Sequence, residues 1–182
     1  MALTPTLALL RAVNVAGTGT VAMAELRTML HDLGFSRPRT LLQSGNLVFD
    51  AEAAPAALEA ALEAELRCRT GFVTDVVVRD RAASEAVTAA NPLAEEARRD
   101  PGHLLVHMLK APPAAEAIVA LRAAITGPER VALNGAELYA YYPEGVGRSK
   151  LTTALIERRL GVRGTGRNWN TVTKLAAMLA AS

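Results

Sequence analysis

The hydrophobic positions change period several times along the chain, and each change marks an element. Residues 6–15 form a largely apolar run, which predicts a buried strand. Met23, Leu26, Leu30 and Leu33 recur at helical spacing and stop at Gly34, a residue suited to the position just past a helix end. Residues 39–43 and 47–50 predict two short strands around the turn-forming triplet Ser44-Gly45-Asn46. Pro55 fits a first helical turn, Leu58, Leu62 and Leu66 share one face, and Gly71 ends the helix. Residues 72–79, rich in valine, predict another strand. The order β-α-β-β-α-β is that of a ferredoxin-like unit.

A second unit of similar order follows. Residues 81–90 predict a short helix closed by Asn91-Pro92, and the polar residues 95–102 predict a connector. Residues 103–109 read as a strand, and 113–126 as a helix with Ile118, Leu121 and Ile125 inward, closed by Gly127-Pro128. Residues 129–133 and 137–142 predict a hairpin around Asn134-Gly135. Leu151, Leu155 and Leu160 mark a helix ending at Gly161. Residues 163–167 predict a last strand, and Val172, Leu175, Ala176 and Leu179 a terminal helix. The fold class expected is therefore α+β, two ferredoxin-like βαββαβ-type lobes in tandem with an extra C-terminal helix. The expected division is an N-terminal lobe at 1–80, a helical connector at 81–102 and a C-terminal lobe at 103–182.

Composition narrows the class. At 182 residues and 51% hydrophobic, the chain has ample apolar surface for a core. No apolar run approaches the roughly 20 residues that span a bilayer. The apolar start is followed at once by Arg11 and Asn14, which fits a strand better than a secretion signal. Cys68 is the only cysteine, so no intramolecular disulfide forms and a reducing, cytosolic compartment is expected.

Charge is unevenly spread. Residues 145–182 carry seven cations against Glu157 alone, net +6, whereas residues 1–144 are net −4. Such asymmetry points to an anionic partner for the C-terminal part. Lysine occurs only at 110, 150 and 174 while arginine is abundant, so position says more here than residue type.

Several chemistries drop out. His103 and His107 share a face of the predicted strand but lie about 13 Å apart along it. Zinc requires ligands about 2 Å from one point; both read as ordinary strand residues, and no metal site or cofactor is expected. Cys68 lies between Arg67 and Arg69 with no base in view. Leu42-Gln43-Ser44-Gly45 lacks the leading glycine of a nucleophile elbow. Gly145-Val146-Gly147-Arg148-Ser149-Lys150 has serine where a Walker loop has glycine and leucine where it has serine or threonine; Lys150 stands where a dinucleotide fingerprint has its third glycine.

Two polar segments remain. Ser149 is placed to cap the following helix, with Arg148 and Lys150 bracketing its start against the helix dipole. Asn168 or Asn170 can cap the terminal helix, with Arg167 just before it. An anion at these helix starts would turn repulsion into attraction. Trp169 is either a packing wedge or a stacking platform. Tyr139 and Tyr141 share a strand face as in RNA-recognition sheets, but the accompanying signature is absent. The candidate ligand-binding residues are Arg148, Ser149, Lys150, Arg167, Asn168, Trp169, Asn170 and Lys174, joined by Arg11, Asn14, Gln43 and Asn46.

Four segments carry a family resemblance: Leu10-Arg11-Ala12-Val13-Asn14-Val15, Gln43-Ser44-Gly45-Asn46-Leu47-Val48-Phe49, Tyr142-Pro143-Glu144-Gly145-Val146-Gly147-Arg148-Ser149-Lys150-Leu151, and Arg167-Asn168-Trp169-Asn170-Thr171-Val172-Thr173-Lys174-Leu175. They resemble, in order, the hallmark blocks of a bacterial family catalogued as "domain of unknown function 1697". The resemblance implies a two-lobed α+β fold and supplies no catalytic residues. The chain departs from the family pattern at Ala12 and Ala16, where glycines are usual, and at Thr18 and Thr20, where cations are usual.

Three readings follow. The first is a module binding a phosphate-bearing small molecule or nucleic acid, with no membrane role. The second has the polar blocks locking the lobes together. The third is an enzyme on a small anionic metabolite, with Glu144 the nearest carboxylate to Arg148.

Overall fold

In the computed structural model, residues 3–14 and 20–181 are described. The expectations at Val15, Ala16 and Thr18 lie outside these. The chain divides into two compact units, one of Met1–Ala86 with Leu175–Ser182 and one of Val87–Lys174.

The first unit contains β1 (Thr4–Leu10), α1 (Met23–Asp32), β2 (Ser36–Leu41), β3 (Asn46–Ala51), α2 (Pro55–Thr70) and β4 (Val76–Asp80). Its antiparallel sheet has the order β2-β3-β1-β4, the ferredoxin-like arrangement. Ala8, Leu10, Leu47, Phe49, Val76 and Val78 on one sheet face pack with Leu26 and Leu30 of α1 and Leu58, Leu62 and Leu66 of α2. Leu7, Leu9, Val48 and Val77 on the opposite face are buried too, which is why β1 and β3 read as continuous apolar runs rather than alternating ones. Pro38, which cannot donate to a ladder, sits in the edge strand β2 beside a register shift. Gly34 and Gly71 end the two helices in left-handed conformation, at φ +82° and +69°.

Two strands are shorter than the apolar pattern predicts. β1 stops at Leu10, where the chain turns: Arg11 N–H reaches Asp75 O at 3.0 Å, and Ala12 and Asn14 have φ of +52° and +53°. β4 begins at Val76, not at Phe72. The β2–β3 hairpin closes at the Leu41–Asn46 pair, so its connection is the four residues 42–45.

After α3 (Arg81–Ala89), the second unit contains α4 (Ala94–Arg99), β5 (Leu104–Leu109), α5 (Ala117–Ala124), β6 (Arg130–Asn134), β7 (Glu137–Tyr141), α6 (Thr153–Leu160) and β8 (Gly164–Asn168); α7 (Trp169–Ala180) closes the chain. The sheet order β6-β7-β5-β8 repeats that of the first unit, again wholly antiparallel. The fold is thus α+β with tandem ferredoxin-like topology. Leu109, Leu138, Ala140 and Tyr142 pack with Leu121 of α5 and Ile156 and Leu160 of α6.

The polar stretch expected as a connector is largely helical. Glu95 and Glu96 in the first turn of α4 and Arg98 and Arg99 in its last complement the helix dipole. A 3-10 turn, Pro101–His103, leads from it into β5, so His103 is not a strand residue.

Candidate functional site

The loop between β7 and α6 is held at several points. Tyr142, almost wholly buried, donates its main-chain N–H to His103 O at 2.9 Å and its hydroxyl to Leu151 O at 3.2 Å. Gly145 turns the chain at φ +84°, its N–H bonded to Tyr142 O at 2.9 Å. A 3-10 turn, Val146–Arg148, follows. Ser149 Oγ accepts the Leu151 N–H at 2.9 Å and donates to Glu129 Oε1.

Ser149 is therefore a pin inside the loop, and it does not cap α6. Thr152 does, its hydroxyl accepting the Leu155 N–H at 3.2 Å. The reason is local: after the Ser149 turn, Leu151 must bury its side chain, so the helix starts only at Thr153. Arg148 and Lys150 consequently do not bracket a helix start. Both are exposed, and their side chains have no hydrogen-bond or ion-pair partner among the described residues; Glu144 does not pair with either.

Beside this loop lies a group that spacing along a strand concealed. Asp100 Oδ2 is 2.7 Å from His103 Nδ1 and receives the Tyr141 hydroxyl at 3.1 Å. The His103 and Tyr141 hydrogen bonds hold the Asp100 carboxyl below the usual carboxylate range. Burial, and then donation to Asp100, push the Tyr141 hydroxyl up. His103 Nε2 faces the glycine loop, since a Cβ placed on Gly145 would sit 3.8 Å from it. The sequence signal was Asp100-Pro101-Gly102-His103: a Pro-Gly turn that sets an acid and an imidazole three residues apart.

The second polar block divides. Arg167, expected as a surface cation, is buried. Register pairs it with Val106, and Val106 with Tyr139, both fully buried, so its side chain leaves the sheet on an enclosed face. Its Nη1 donates to Thr165 Oγ1 at 2.6 Å and Gly166 O at 2.9 Å, and desolvation lowers its pKa to about 10. Asn168 caps α7: its Oδ1 accepts the Asn170 N–H at 3.0 Å while its Nδ2 donates to Gly102 O at 2.6 Å. Trp169, half-buried, walls a pocket of about 230 Å³ with Ala89, Asn91, Ala94, Ala97 and Arg98. Asn170 and Lys174 are exposed.

The N-terminal candidates belong to the first unit. Asn14 spends its side chain on main-chain groups: Nδ2 donates to Val21 O at 3.0 Å and Gln43 O at 2.8 Å, and Oδ1 accepts the Val21 N–H at 2.8 Å. Asn46 is fully buried, donating to Leu41 O at 2.7 Å and Ser44 Oγ at 3.0 Å. Burial removes Asn46 from ligand contact. Arg11 is half-buried and Gln43 exposed. Among the described residues no group of three His, Cys, Asp or Glu could hold a metal ion, and no helix is long and apolar enough to cross a membrane.

Comparison with known proteins agrees with this architecture. The family model described as "Protein of unknown function (DUF1697)" matches residues 3–139. The first two resembling blocks fall inside that span, and those at 142–151 and 167–175 fall beyond it. The structure of the conserved bacterial protein SP0830 from Streptococcus pneumoniae is similar over 98% of this chain and 99% of that one, at TM-score 0.77 and 23% identity. That likeness is one of fold. No curated protein matches the chain.

Proposed function

The chain belongs to the DUF1697 family of proteins of unknown function, and on that premise we propose that it binds a phosphate-bearing ligand at the loop of residues 145–150. One observation carries this reading: Arg148 and Lys150 are exposed and have no side-chain partner among the described residues, on a loop pinned by Tyr142 just ahead of it and by Ser149 within it. Two cations two residues apart on one loop repel each other, and a shared anion reverses the sign of that interaction. Pinning matters because a preorganised loop loses little entropy on binding. The ligand is a phosphate-bearing small molecule or a nucleic-acid strand, and the lone Cys68 supports a reducing, cytosolic setting.

A structural role is favoured for other members of the same blocks. Ser149 and Asn168 direct their polar atoms to Glu129 and Gly102, and Arg167 to Thr165 and Gly166. An enzymatic reading has less support, because among the described residues Glu144 forms no hydrogen bond or ion pair with Arg148.

The test is titration of the wild type and an Arg148→Ala/Lys150→Ala variant with inorganic phosphate and with a short single-stranded RNA. Loss of both charges should weaken binding at least about tenfold and flatten its salt dependence. Equal affinity of both proteins for both probes would overturn the proposal; a response to RNA alone would identify a nucleic-acid ligand.

A further inference from the structure

We propose that His103, oriented by Asp100, is a third ligand contact of this loop and couples anion binding to uptake of a proton at Nε2. The inference rests on the phosphate-site reading above and deepens it. Asp100 accepts from Nδ1 at 2.7 Å, which fixes the tautomer: in the neutral ring the proton sits on Nδ1 and Nε2 carries a lone pair. That lone pair faces the Gly145 turn, from which Arg148 follows three residues later. A fully ionised anion offers Nε2 no hydrogen, so ring and anion repel. Once Nε2 takes a proton from solvent it becomes a charged donor, and its bond to an anionic oxygen is charge-assisted. Nothing but one N–H bond is formed, and the proton comes from water or buffer.

The surroundings suit this exchange. The His103 side chain is 45% exposed, so a ligand and a proton can both reach it. Asp100 remains ionised and balances the imidazolium. The other charged or titratable groups on the packed elements are Glu137, Tyr139 and Tyr141 of β7, the last donating to Asp100; Glu95, Glu96, Arg98 and Arg99 of α4; Arg167 of β8; and Tyr142, Glu144, Arg148 and Lys150 of the loop. Glu95 is paired to Arg98 and Glu96 to Arg130, which leaves Asp100 as the carboxylate engaged with the ring.

Sulfate tests the idea, because it stays a dianion across the range and cannot itself change protonation. Calorimetric titration of the whole protein in buffers of different ionisation heat should show proton uptake on sulfate binding. Affinity should fall as pH rises, by up to about tenfold per pH unit, the limit for uptake of one proton. His103→Gln should keep the fold by circular dichroism yet bind sulfate without uptake and with a flat pH profile, a difference that a purely structural role for the ring would not produce. Sulfate binding without uptake, or uptake that persists in His103→Gln, would overturn this inference and leave the phosphate site standing. Absence of sulfate binding while the RNA strand binds would overturn this inference alone, and absence of binding by sulfate, inorganic phosphate and the RNA strand at every pH would overturn both.

Discussion

No side-chain atom fits between Gly45 and Val13: a Cβ placed on Gly45, where φ is +71°, would lie 2.5 Å from Val13 Cγ1 and 2.8 Å from Leu10 Cβ. The β2–β3 connection is thereby seated against the end of β1, with Gly45 O accepting the Leu10 N–H at 2.9 Å. Gly45→Ala therefore carries two costs, a left-handed backbone and a steric clash, together about 3 kcal/mol. Gly34 has φ +82° with no atom within 4 Å of a built Cβ, so Gly34→Ala should cost only about 1 kcal/mol. Urea unfolding of the two variants measures the difference, and equal losses would contradict it.

The capping assignment is separately testable. Thr152→Ala removes the acceptor for the Leu155 N–H and should destabilise by about 1 kcal/mol. Phosphate affinity should stay unchanged, since Thr152 lies outside the proposed contacts. A large loss of affinity with intact stability would mean that the start of α6 takes part in binding after all.

His107 should make the protein acid-labile. Its ring is enclosed between Gly166 and Leu138 on the α5–α6 side of the sheet, with Nε2 lacking a partner. Burial lowers its pKa from 6.5 to about 4, partly opposed by Glu157 and reinforced by Arg167. The unfolded chain thus binds more protons between those two values. Stability from this group is complete above about pH 6.5 and lost as pH falls toward 4, at most about 3 kcal/mol in all. Urea midpoints measured across pH 7 to 4 should fall, and the slope should lessen in His107→Leu; an unchanged slope would assign acid lability to other groups.

The two arginines of the C-terminal blocks should behave oppositely. Arg148→Ala removes an exposed, unpartnered side chain and should alter stability by no more than about 0.5 kcal/mol. Arg167→Ala empties a buried position and strands the Thr165 hydroxyl and Gly166 carbonyl, at about 2–4 kcal/mol. A variant lacking both would report unfolding as much as lost binding, so thermal melts of each single variant are needed.

Much of the architecture is legible in the chain. The helix over Leu58, Leu62 and Leu66 runs from Pro55 to Thr70 with Gly71 as its left-handed cap. Gly161 ends α6 in the same way at φ +69°. Both signals are local, since they depend on side-chain spacing and one residue's backbone freedom. The apolar run overstates the length of the first strand because Val13 is as apolar as the strand before it. Val13 is buried, yet it belongs to a turn stabilised by the Asn14 amide bridging Val21 and Gln43.

The site was legible only in part. Arg148 and Lys150 stood out by charge, and their exposure agrees with that prominence. Asp100, His103 and Tyr141 did not, because the third member comes from β7, some forty residues beyond the turn that holds the other two. Periodicity, glycine stops and charge asymmetry are properties of short stretches, and by themselves they determined the order of elements, the tandem ferredoxin-like units and the basic C-terminal region. Whether a given cation faces solvent or a closed sheet face depends on what strand pairing lays over it. That is why tertiary structure alone separated Arg167, buried beside Val106 and Tyr139, from Arg148 on its exposed loop.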